Sequence, residues 1–227
     1  MNLTVIQGIV SQLLVLIIIT ASFMLTSSSI PMLFTMYAMQ SLLLAILAFS
    51  RYFSDLNADL IIIGILTLVT KAILIPLFMR GIHKSMKVNR DAEFKYLSPT
   101  TSLAVSMFLI LLVYSAFSGF SGGWMLDSVS AFGAVLGISL AFIGMLVIFS
   151  RKEAITKILG YLTMENGILL FSLFFSGLPM IIEILIMLDL MILILLITIL
   201  AFGMDSSIEQ FHEKLNLMRY VWEEDEE

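Results

Sequence analysis

Four ionisable side chains stand inside long apolar runs of the sequence: Lys71, Glu165, Glu183 and Asp189. On insertion scales such a group costs about 2.5 to 3.5 kcal/mol at the centre of a membrane helix, so it persists only with a partner, with water or in its neutral form. Desolvation disfavours the charged form of acids and amines alike, which brings both within range of proton exchange near neutral pH. Acids and a lysine placed this way form a candidate proton relay; the plain alternative is a buried ion pair that fixes helix packing. At about 1.5 Å per residue, Lys71 is expected about 12 Å from the cytoplasmic end of its helix, Glu165 about 10 Å from that side and Asp189 about 21 Å from it. That series would step across the membrane. Glu183 lies just past Pro179, near the outer surface, where it can equally snorkel. Pro76, shortly after Lys71, lacks the amide that would bond the carbonyl of Ala72, so a kink or hydration is expected there, or a bend that serves packing alone.

The elements that must position these groups are membrane helices. The chain has 227 residues, 60% hydrophobic and 13% charged, with a mean hydropathy of +1.07, against about half apolar and a quarter charged in an average soluble domain. A chain this size cannot hide such a surplus inside itself. Seven apolar runs, at about 5 to 26, 30 to 49, 60 to 79, 101 to 118, 129 to 149, 158 to 176 and 180 to 203, are each near the roughly 20 residues that cross a bilayer core. The reading is an all-α, polytopic integral membrane protein with seven transmembrane helices. The tightest gap is Ser27-Ser28-Ser29 before Pro31. No basic residue precedes the first run, so a cleaved signal peptide is not expected.

Short cytoplasmic loops collect Lys and Arg. With the N-terminus outside, the inner segments hold Arg80, Lys84, Lys87, Arg90 and Lys95, then Arg151, Lys152 and Lys157, then Lys214 and Arg219, while the outer segments hold only Arg51. The C-terminus is thus expected in the cytoplasm and the protein in the cell membrane. The net charge of −5 is a property of the tail, where Glu223 to Glu227 are consecutive acids. Before them Ile208, Phe211, Leu215, Met218 and Trp222 recur at helical spacing, and Ser206 with Glu209 makes a capping-box pattern. Residues 206 to 222 read as an amphipathic interfacial helix.

Other features point to packing. Gly133 and Gly137, continued by Ala141, form a small-residue stripe that admits a close neighbour helix, and the sixteen Met suit irregular apolar gaps better than copper. With no Cys and two His, thiolate metal sites and Fe–S clusters are excluded and a His-built site is not expected. No hydrolytic set, phosphate loop or nucleic-acid signature is present, so the chain is expected to have no cofactor, no metal site and no nucleic-acid partner.

The segment Gly160-Tyr161-Leu162-Thr163-Met164-Glu165-Asn166-Gly167-Ile168, opening a helix after a basic loop, resembles the glutamate segment of the K-type subunit of respiratory complex I. Residues 129 to 203 repeat that family's three-helix plan, with Glu165 in the second helix and Glu183 or Asp189 in the third. The whole length, with four extra helices in front and an intramembrane lysine in Leu68-Val69-Thr70-Lys71-Ala72-Ile73-Leu74-Ile75-Pro76, resembles the hydrogenase-4 component E family, membrane subunits of group 4 nickel-iron hydrogenase and formate hydrogenlyase complexes. The resemblance implies a four-helix part (1 to 128), a K-like part (129 to 203) and a cytoplasmic end (204 to 227). It implies a non-catalytic subunit whose partners are antiporter-like and quinone-module-like membrane chains and, through them, a cytoplasmic hydrogenase arm. The ion moved would be a proton or sodium. The rival expectations are a structural subunit and a subunit of a cation/proton antiporter.

The orientation is open to direct measurement, because a Cys probe has no native competitor. A single Cys at Lys87 is expected to resist a membrane-impermeant thiol reagent in intact cells and to react after permeabilisation; reaction in intact cells would reverse the topology.

Overall fold

The computed structural model describes residues 3–55, 58–85, 97–120, 128–174, 187–189, 191, 192, 194, 195 and 198. Glu183 and the expected amphipathic helix at 206 to 222 lie outside them. The described chain is helical: α1 (Leu3–Thr26), α2 (Ile30–Asp55), α3 (Ala58–Leu66), a π-helical segment (Thr67–Leu74), α4 (Ile75–Ser85), α5 (Pro99–Phe120), α6 (Ser128–Ser150) and α7 (Ala154–Ser172). Among the described residues five stretches are long and apolar enough to cross a membrane: Val5–Thr26, Ile30–Phe53, Asp59–His83, Pro99–Ser118 and Ser128–Ser150. The third stretch joins α3, the π-helical segment and α4 into one rod.

Local chemistry sets the boundaries. In the tight turn between α1 and α2 the Ser29 amide donates to Ser27 Oγ at 3.3 Å and the Leu33 amide to the Ser29 carbonyl at 3.1 Å. Pro31 follows in the first turn of α2, where an amide would have no helical acceptor. Pro99 opens α5 in the same way, behind Ser98, whose hydroxyl accepts the Thr101 amide at 3.2 Å; this is an N-cap.

The core is shared along the chain. Leu14, Ile17 and Leu25 of α1, Leu44 and Leu47 of α2, Leu140 and Ile143 of α6, Leu170 of α7, and Phe174 just after it pack in one cluster. Helix α5 lies against α1 and α6 and turns Met107, Phe108, Leu111 and Tyr114 outward, an apolar surface suited to lipid. In that solvent, apolar side chains gain little by meeting each other, and association depends on close packing. Glycine supplies it between α6 and α7. A Cβ at Gly137 would stand 2.5 Å from the Phe171 amide nitrogen, and one at Gly144 or Gly167 would collide with the backbone of Met164 or Ala141. The stripe expected on α6 is therefore matched by Gly160 and Gly167 on α7, whose small faces let the two backbones touch.

Cationic side chains mark the two ends of the bundle. Arg151, just after α6, is fully buried and donates to the carbonyls of Met24 (2.8 Å), Leu25 (3.3 Å) and Ser27 (2.7 Å). It thereby satisfies carbonyls at the end of α1 that have no helical donor. Arg80 donates to Thr35 Oγ1 at 3.2 Å on the same end. At the other end Arg51 sits 5.2 Å above the ring of Phe174. Burial lowers the Arg151 pKa to about 10, with the negative charge of Glu153 acting the other way, so the cap stays cationic at neutral pH.

Gly144→Val and Gly167→Val are each expected to destabilise the protein by about 1 to 3 kcal/mol through overpacking, read as an earlier transition in detergent unfolding. Gly8→Ala is expected to cause no loss, since a Cβ at Gly8 meets nothing within 4 Å.

Candidate functional site

The glycine seam fixes α7 on its α6 side and leaves Glu165 free to face elsewhere. Glu165 Oε1 lies 3.3 Å from Lys71 Nζ, and Asp189 Oδ1 lies 3.2 Å from the same nitrogen. The three side chains are 1 to 6% exposed. One ammonium therefore serves two carboxyls in the interior of the bundle.

This arrangement corrects the expected series stepping across the membrane. The apolar runs misplaced the helix ends: α4 continues to Ser85 and α7 begins at Ala154. Lys71 is then about 21 Å, and Glu165 about 16 Å, from the Arg151 end at 1.5 Å per residue, near the level expected for Asp189. Attraction between opposite charges is far stronger in a low dielectric than in water, so side chains of opposite sign at similar depths are drawn together.

Lys71 lies within the π-helical segment, where the Ile75 amide bonds the Thr70 carbonyl, five residues back. Pro76 explains the change of register. Its ring would clash with the carbonyl of Ala72 and it offers no amide, and a widened turn upstream relieves both problems. The expected kink thus takes the form of a π segment, a feature that recurs at functional sites.

A neutral polar group adjoins the charges. Asn166, next to Glu165 on α7, donates through Nδ2 to Gln40 Oε1 (3.1 Å) and Ser41 Oγ (3.2 Å) on α2, and all three residues are fully buried. Tyr37, one turn before Ser41, is also fully buried, and its hydroxyl lies in the electrostatic field of Asp189 and Glu165. Sequence reading missed this group. Its signal was the run of polar residues Gln40 and Ser41 within an apolar stretch, together with Tyr37 at helical spacing. Arg151, read only as a loop charge, proved to be a buried cap.

Among the described residues no group of three or more His, Cys, Asp or Glu is arranged to hold a metal ion. Comparison with protein-family models, with curated proteins and with solved structures found no match to this chain. The functional reading therefore rests on the geometry of Lys71, Glu165 and Asp189.

Proposed function

We propose that the chain is an ion-translocating subunit of the cell membrane, and that Lys71, Glu165 and Asp189 form one buried station of the path. The supporting observation is the charge count of the cluster. An ammonium between two carboxyls leaves one uncompensated negative charge in a medium where such a charge is costly, and binding one proton neutralises it. A station of this kind takes up and releases a proton, or a sodium ion in its place, when a neighbouring charge changes. On this reading there are seven transmembrane helices, with the N-terminus outside, and Glu183 is a further carboxylate near the outer surface.

The resemblance of the Glu165 segment to the K-type subunit, and of the whole chain to the hydrogenase-4 component E family, gives the proposal its setting. The chain would be a non-catalytic member of a complex I-like membrane arm. Antiporter-like and quinone-module-like subunits would be its neighbours, with a cytoplasmic hydrogenase arm supplying the redox energy.

The ion pairs themselves favour a second reading, in which the charges only lock the π-helical segment, α7 and the stretch that carries Asp189 together. Glu165→Gln separates the two, since Gln keeps the shape and hydrogen-bonding capacity but does not ionise. In energised vesicles the assembled variant complex is expected to pump at least about tenfold less, the low end of what a lost proton-transfer group costs, while Glu165→Asp retains part of the activity. Full pumping by an assembled Glu165→Gln complex would remove the relay and leave the lock.

A further inference from the structure

Ile30, Phe34, Tyr37 and Ser41 follow one another along a face of α2, and their depths set an order. Counted from Ile30, at the Arg151 end, Phe34 is about 6 Å and Tyr37 about 10 Å deep, against about 16 Å for Glu165. Tyr37 therefore lies between the charged cluster and that end of the bundle. It is enclosed by apolar side chains, among them Phe34, Ile75, Met79 and Leu162. Its hydroxyl lies alongside Ser41, close enough to both carboxylates to feel their charge, yet it makes no well-directed hydrogen bond. A buried hydroxyl in that condition is costly and is positioned to interact with something further.

On the outer side of Tyr37 stands His83, near the end of α4. Its ring meets Phe34 edge to face, with centroids 6.0 Å apart, and its Nδ1 is buried without a hydrogen-bond partner. Phe34 is fully buried and packs with Tyr37 in one apolar cluster. The titratable groups around Tyr37 are Glu165 and Tyr161 on α7, Asp189, Lys71 on the π-helical segment, and His83 beside Phe34. Of these groups, those of the cluster lie deeper than Tyr37 and His83 lies nearer the end.

We propose that Tyr37 is the proton-transfer link between the Lys71, Glu165 and Asp189 cluster and the His83 end of the bundle. In the inward step the phenolic O–H bond breaks as its proton passes to a carboxylate oxygen of the cluster, and a new O–H bond forms from a proton delivered by a water molecule on the His83 side. That water recovers a proton from the solvent at that end of the bundle, so the phenol ends as it began and one proton has moved inward. The reverse sequence releases it.

This inference rests on the ion-translocation reading, and its test keeps the two apart. The full complex is reconstituted in vesicles and proton uptake per electron transferred is measured for the wild type, Tyr37→Phe, Tyr37→His and Glu165→Gln. Tyr37→Phe conserves shape and is expected to slow pumping by about tenfold or more, whereas Tyr37→His, which can again donate and accept a proton, recovers a substantial part. A fixed packing role would not give that recovery. Wild-type pumping by Tyr37→Phe alongside a blocked Glu165→Gln would overturn the link and leave the reading intact. Equal loss in the Phe and His variants would assign Tyr37 a structural role and also overturn it. Full pumping by Glu165→Gln would sink the reading itself.

Discussion

An ion in hydrocarbon must be neutralised where it stands, and that constraint organises the bundle around Lys71. Its ammonium meets Glu165 at 3.3 Å and Asp189 at 3.2 Å, on three stretches of chain far apart in sequence. None of the three could remain charged in that place alone, so each helix depends on the others for its register. Breaking a buried pair by removing one partner is strongly destabilising, because the remaining charge is left unpaired. A cluster with two acids and one base has a milder alternative, since a proton can replace what is lost.

The rest of the fold holds these groups in position without hydrophobic force between helices. The backbone contact of α6 with α7 at Gly137, Gly144 and Gly167 sets the rotation of α7 and hence the direction of Glu165. The π-helical turn ahead of Pro76 sets the rotation of Lys71. Asn166, bonded to Gln40 and Ser41, ties α7 to α2 beside the cluster. Arg151 holds the start of α7 to the end of α1 through three carbonyls. Rigid supports around an ionisable centre suit a site where charge changes while the helices stay in place.

Much of this was legible in the sequence because lipid imposes simple rules. Apolar runs of about 20 residues announced the five long apolar stretches of the described residues, and the turn at Ser27 to Ser29 fell where expected. Lys71, Glu165 and Asp189 stood out because each breaks a run. Their meeting was not legible: depth was counted from the ends of apolar runs, whereas α4 and α7 extend into polar sequence, as at Ser85 and Ala154. Lateral proximity is a tertiary fact that no periodicity encodes. Pro76 signalled a disturbance without specifying a π turn, since a kink, a bound water or a widened turn would each satisfy its chemistry. Tyr37 and Asn166 gave weak signals because neutral polar residues are common in membrane helices and gain meaning only from what they face.

The central claim is that one ammonium and two carboxyls in this interior hold one additional proton. Infrared spectroscopy of the purified protein at neutral pH reads this directly, through the carbonyl stretch of a protonated carboxyl, assigned with Glu165→Gln and Asp189→Asn. The account predicts one protonated carboxyl in the wild type, none in either single variant, where Lys71 balances the remaining acid, and two in Lys71→Met. A wild-type spectrum with no protonated carboxyl assignable to Glu165 or Asp189, or a band that persists unchanged in both variants, would contradict it.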